Sequence, residues 1–449
     1  MNLLRYWGTK KFFSIAAIFY LLFLLLFYFT QKAKFPDFPI VFMQIMGMGM
    51  IVFFSYLYDK LSISRTMLIL VVYLLICCFG LRFFNMDYFN NPLGYNPIDS
   101  LLYHKFGTHI EQPFLGFIKY MKLKSVQIDD MGFTFIVYLI YRLSGDPVVG
   151  VQLLVLFNVL VISISSYFLY KLSNFFFEKH LSCFIAFYWG TELYAVYTAS
   201  VGLKENFMVM FIVIAIYYII RVNRHLLSKD IFYALLFSLP ILLFRTSVFY
   251  MLICVLLYIL SIRLPLAKRY FYIYISLIVI LASVFTYQII EELSIQHGYT
   301  YEIVQKIIEN KAKQHGRMSY ILNYLASLIG PFPNLVAAEF AKQNYITLYS
   351  FSSFCKVFYS FFFIYGTYGI FKNKHYELMG VLIFWLLNTV MLDFTLFAQH
   401  DRYQWPHMPF TIILAIYGLK CWNENRHILR WDRWYLLLAF VVIIIFNFR

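Results

Sequence analysis

This chain is built from repeated apolar stretches, each close to or above the length a helix needs to cross a bilayer. They fall at about 12–30, 39–58, 66–84, 148–171, 181–198, 205–221, 230–244, 247–262, 270–289, 349–371, 377–396, 407–421 and 434–447, against about 20 residues for about 30 Å of hydrocarbon. A backbone in lipid must satisfy its polar groups within its own segment, so such runs become helices. The expectation is an all-α polytopic membrane protein of about 13 transmembrane helices, with 320–337 as a partial or re-entrant helix. Composition agrees: 62% of residues are hydrophobic and 13% charged, where soluble domains carry about a quarter charged. The chain opens "MNLLRYWGTKKFFSIAAIFYLLFLLLFYF", a stretch too long for a signal-peptide core, and it reads as a retained first span.

The net charge of +15 would suggest nucleic acid in a soluble protein. Here its distribution says otherwise. With the N-terminus in the cytoplasm, the inner loops hold Arg5, Lys10, Lys11, Lys60, Arg65, Lys171, Lys179, Arg221, Arg224, Lys229, Arg263, Lys268, Arg269, Lys372, Lys374, Lys420, Arg426, Arg430 and Arg433. The short outer connections hold only Lys32, Lys34, Lys204, Arg245 and Arg402. That asymmetry is the positive-inside pattern, and no nucleic-acid partner is expected. The six cysteines lie in or beside apolar runs without ligand spacing and read as small buried hydrophobes.

This orientation sends 85–147 and 290–348 to the outer side. The first carries an apolar-faced stretch from Gly132 to Leu143, too short to span and suited to the interface. The chain divides into an N-terminal transmembrane hairpin (1–65), a transmembrane core (66–421) that includes both outer loops, and a C-terminal transmembrane helix (422–449).

Ionisable residues near spans are costly and therefore informative. Glu192 and Asp393 sit toward the outer ends of their runs, and neither has a stem with which to snorkel. Lys204 and Glu205, in "SVGLKENF", form an outer turn; Arg245 joins two short runs in "LLFRTSVFY". "FAQHDRYQWPHMPF" adds His400, Arg402, Tyr403 and His407 on the same side. A transporter would instead be expected to place its charges near the midplane on broken helices, and no repeat or midplane charge stands out. The polar residues gather at one face.

The order of these motifs resembles the GT-C membrane glycosyltransferases, in particular the bacterial group related to protein O-mannosyltransferases and lipid A aminoarabinose transferases. Asp99-Ser100-Leu101-Leu102-Tyr103 resembles that family's D-x-x-x-Y motif in the first outer loop, after Arg82 and an aromatic lead-in. Ser100 stands where better-known branches have a second acid, so Asp87 and the Asp129-Asp130 pair remain alternative bases. Lys204-Glu205 resembles the family's basic-acidic turn, Arg245 its lone cation between short spans, and Arg402, Tyr403, Pro406 and Pro409 its R-Y-x-x-P-x-x-P stretch. The resemblance spans about residues 66–421.

It implies a sugar donor on a polyprenyl phosphate, a glycan, lipid or protein acceptor, membrane lipids as surroundings, and transfer at the outer face of a bacterial inner membrane. The chemistry then needs a carboxylate to take the acceptor proton, assigned to Asp99. It needs cations for the departing lipid phosphate, assigned to Lys204, Arg245 and Arg402. Tyr103, His104, Asp129, Asp130, Glu205, His400 and Tyr403 are candidate substrate contacts, and Trp405 is a candidate sugar platform or interfacial anchor. A single displacement with one base inverts the anomeric centre. The motifs fix no cofactor; a divalent cation is left open, with Asp129 and Asp130 as a candidate pair for it. The nearest alternative is a surface-polysaccharide polymerase or ligase using diphosphate-linked glycans; a lipid-linked-oligosaccharide flippase is the non-enzymatic one.

Overall fold

The computed structural model describes residues 62–94, 98–124, 126, 128–225, 228–263, 323–333, 350–395, 401–425 and 431–447, with isolated positions at 18, 21, 22, 45–47, 49 and 321. Among them there is helix and no strand. Five helices are long and apolar enough to cross a membrane: α1 (Ile63–Phe89), α5 (Pro147–Ser173), α8 (Glu205–His225), α11 (Ser350–Lys372) and α12 (Tyr376–Thr395). Apart from those isolated positions, the expected runs at 12–30, 39–58 and 270–289, and most of 290–348, lie outside the described residues.

Local chemistry sets the helix ends. The Ser62 side chain accepts from the Arg65 amide and starts α1, which ends at Asn90 in the left-handed conformation. Between α1 and α5 lie three short helices, α2 (Ile98–Gly107), α3 (Phe114–Leu123) and α4 (Ile128–Ser144). Asp146 caps α5 by accepting from the Val148 amide, with Pro147 in the first turn, where its missing N–H costs nothing. The interfacial stretch expected at 132–143 belongs to α4, whose buried face includes Phe133, Val137, Tyr138 and Tyr141.

The run expected as one span at 181–198 is two helices, α6 (Lys179–Gly190) and α7 (Leu193–Val201). The break falls at Thr191 and Glu192. The freed Leu193 amide donates to the Ser352 hydroxyl of α11 at 3.1 Å, so a neighbouring helix satisfies what the helix itself does not. The run expected at 230–244 divides similarly, into α9 (Ser228–Ser238) and a 3-10 turn, Leu239–Leu243, containing Pro240. Then come α10 (Thr246–Arg263), α13 (Met408–Asn425) and α14 (Trp431–Asn447). A helical turn, Asp401–Gln404, and the 3-10 turn Trp405–His407 lead into α13.

Packing relies on close backbone approach as well as on bulk. A Cβ on Gly418 would overlap the Phe362 carbonyl, and one on Gly366 would overlap that of Leu414. Glycine at both places lets α11 and α13 touch along their backbones, the usual route to tight helix pairs in lipid. The core runs through the middle of the bundle, from Leu74 and Val155 to Ile216, Leu252 and Ile413.

Candidate functional site

Four chain segments far apart in sequence deliver charge to the end of the bundle where α8 begins, and a fifth is the start of α8 itself. Asp99 lies in the first turn of α2, and Asp129 and Asp130 in the first turn of α4, where the helix dipole favours negative charge. Gly202, at φ 71°, ends α7 in a left-handed turn and turns the chain so that Lys204 and Glu205 arrive at the start of α8. Arg245 occupies the junction between the 3-10 turn and α10. Arg402 and Tyr403 come from the turn before α13.

Arg402 joins two of these segments. Its Nη1 donates to Asp99 and its Nε to Glu205. The Glu205 side chain is wholly buried, while those of Asp99 and Arg402 are 36% and 28% exposed. Burial works against the guanidinium's charge, but Glu205 and Asp99 outweigh it and hold the Arg402 pKa above its ordinary value. The second Glu205 oxygen, Oε2, is buried and has no hydrogen-bond partner among the described residues.

Lys204 joins the start of α8 to the start of α4. Its Nζ donates to Asp130 Oδ1 and to the Asp129 carbonyl, both at 2.6 Å. The Tyr103 hydroxyl donates to the same Asp130 oxygen at 2.7 Å. Burial would raise the Asp130 carboxyl, yet Lys204, with Tyr103 and Arg402, holds it below the usual carboxylate value. Asp129 accepts instead from the Thr246 amide at 3.0 Å and its hydroxyl at 2.8 Å, so a residue of α4 caps α10. Arg245 is 8% exposed and stacks 5.1 Å above the Tyr403 ring. Among the described residues it pairs with no carboxylate.

Asp99, Lys204, Glu205, Asp129, Asp130, Arg245, Arg402 and Tyr403 are therefore neighbours. Several expected roles need correction. Tyr103 is 1% exposed and packs edge-on against Phe133, so it braces Asp130 and offers no face to a sugar. Trp405 is equally buried, between Trp189 and Tyr194, and is neither platform nor anchor. His104 bonds the Tyr141 hydroxyl at 2.8 Å, outside the charged group; burial, then the Arg82 charge, lowers its pKa. Asp129 and Asp130 send their carboxylates to different partners, Thr246 and Lys204. No group of three or more His, Cys, Asp or Glu suited to a metal occurs among the described residues. Asp87 is exposed on α1, and Asp393 bonds Ser327 at 3.3 Å. His400 lies outside the described residues.

No family model, curated protein or solved structure matches the chain.

Sequence reasoning missed a deeper polar group. Lys356, on the span α11, is fully buried and its Nζ donates to Gln404, whose amide nitrogen donates to the Ala326 carbonyl at 2.7 Å. Buried His407 lies beside it, against the Trp385 ring, with both ring nitrogens unbonded among the described residues. The signal was available: a lone lysine inside the apolar run 349–371 is costly enough to mark a special position.

Proposed function

We propose that the chain is a membrane glycosyltransferase of GT-C architecture, with about 13 spans, that moves a sugar from a polyprenyl-phosphate donor to a glycan, lipid or protein acceptor at the outer face. The observation that carries this reading is the meeting of an accessible carboxylate, Asp99, with Lys204, Arg245 and Arg402 at one end of the bundle.

In this mechanism the acceptor hydroxyl attacks the anomeric carbon and its proton passes to Asp99. The bond from that carbon to the phosphate oxygen breaks, its electron pair leaving with the lipid phosphate, and the configuration inverts. Arg402 holds Asp99 in place through a charge-assisted bond. Lys204 is already committed to the Asp129-Asp130 turn, so its part is to position that turn. Arg245 becomes the first contact for the phosphate, because a guanidinium without a carboxylate partner loses no ion pair when an anion arrives.

The test is release of polyprenyl phosphate from a labelled polyprenyl-phosphate sugar in proteoliposomes. Asp99→Asn should abolish release while inserting normally; full activity would overturn the assignment of the base. Turnover of diphosphate-linked glycans alone would transfer the chain to the polymerase or ligase reading.

A second reading has a specific observation behind it. The break at Glu192 and the buried Lys356 put ionisable groups inside the bundle beside an interrupted helix, as transporters do. Flux of a lipid-linked glycan that needs Lys356 but not Asp99 would favour it.

A further inference from the structure

Arg82 sits at 1% exposure near the end of α1, with no carboxylate bonded to it among the described residues. Its Nη1 donates to two backbone carbonyls that are far apart in the chain: Pro92, and Ser200 at 2.8 Å. Pro92 belongs to the segment that leads into α2 and Asp99. Ser200 is the last residue but one of α7, just before the turn that delivers Lys204 and Glu205. The two segments lie close together here: a Cβ on Gly94 would be 3.2 Å from Val201 Cγ1.

A buried guanidinium is costly, and this one uses Nη1 alone: its Nε and Nη2 are buried with no hydrogen-bond partner among the described residues, so stability does not account for its place. Its two bonds instead fix one distance, that between the arm carrying Asp99 and the arm carrying Glu205. Arg402 joins the same two arms through their side chains. We propose that Arg82 is a positioning residue: it clamps the two arms by their backbones so that Asp99 and Glu205 meet Arg402 in register. This rests on the transferase reading only for its effect on rate.

The clamp can be measured without substrate. Amide hydrogen exchange at Gly94 and Leu203, whose N–H groups donate to the Asn91 and Thr198 carbonyls, should be about 10-fold faster with Arg82→Met than with Arg82, because releasing either arm opens those bonds. An unchanged rate overturns the clamp. In the transfer assay Arg82→Met should lower kcat about 100-fold, the scale of a small misplacement of reacting groups, with donor KM unchanged. Arg82→Lys, which keeps a donor for both carbonyls, should recover most of it. A loss confined to KM, or a lysine variant as inactive as the methionine one, overturns the positioning role. If the wild type transfers no sugar while exchange still depends on Arg82, the transferase reading falls, and with it the part of Arg82 in chemistry; the clamp stands.

Discussion

The two ends of α8 make a useful contrast. At its far end Arg224 meets Glu377 as a matched pair, Nε to Oε1 at 3.1 Å and Nη2 to Oε2 at 2.8 Å. Asn223 and the Phe175 carbonyl complete the set, and the arginine is exposed. About 30 Å away along the helix, the start of α8 has charges that do not match so fully. Among the described residues, Glu205 is buried with one oxygen unbonded, and Arg245 is buried against an aromatic face and no carboxylate. Unmet polarity alone does not separate the ends, because buried Asp230, ion-paired with Arg221 at 3.3 Å near the far end, also lacks hydrogen bonds among the described residues. What sets the start of α8 apart is that charges from several distant segments meet there, which is why the proposed function is placed at it.

Breaking each end in turn should separate the two kinds. Arg402→Ala would leave Glu205 buried and unpaired. It should cost about 3–5 kcal/mol in detergent unfolding and reduce transfer by about 100–1000-fold. A variant of normal stability would show that the Arg402 bridge is not formed. Lys204→Met should destabilise by about 2 kcal/mol, since Asp130 keeps only Tyr103 as a donor; a loss of donor affinity without destabilisation would instead give Lys204 a phosphate role. Arg224→Met should cost under about 1 kcal/mol, as exposed pairs do, and leave transfer unchanged. If it proved as damaging as Arg402→Ala, the contrast between the ends would fail.

The smallest effect is on pH dependence. The Asp130 carboxyl is held below its usual value in the folded protein, so the folded state binds its proton less readily than the unfolded chain does. Its stabilisation is complete above the unfolded carboxylate pKa and disappears as pH falls through the folded one. Melting of the wild type should therefore fall more steeply than that of Asp130→Asn below about pH 4. Parallel curves would remove Asp130 from the stabilising set.

Much of the helical frame was legible in the chain because hydropathy is a local property. The run at 148–171 became Pro147–Ser173, and that at 349–371 became Ser350–Lys372. The break at Glu192 was not legible, since an apolar window averages across it and the Ser352 hydroxyl that makes it tolerable comes from 159 residues away. Tyr103 and Trp405 were misread for a related reason. An aromatic residue in an outer loop, as Tyr103 is, or just before a span, as Trp405 is, suits an interface and a core equally well, and only its neighbours decide between the two.

By itself the sequence determined a helical chain built for a bilayer, and a small set of charged residues left outside the positive-inside pattern. Hydrophobic length and charge sign suffice for that, because each acts residue by residue. Tertiary structure alone decided which charges meet. Asp99 and Arg402 are 303 positions apart, and no periodicity or motif carries a contact of that range. The fold likewise decided that Lys204 is occupied, that Arg245 pairs with no carboxylate among the described residues, and that Arg82 holds two distant backbones together.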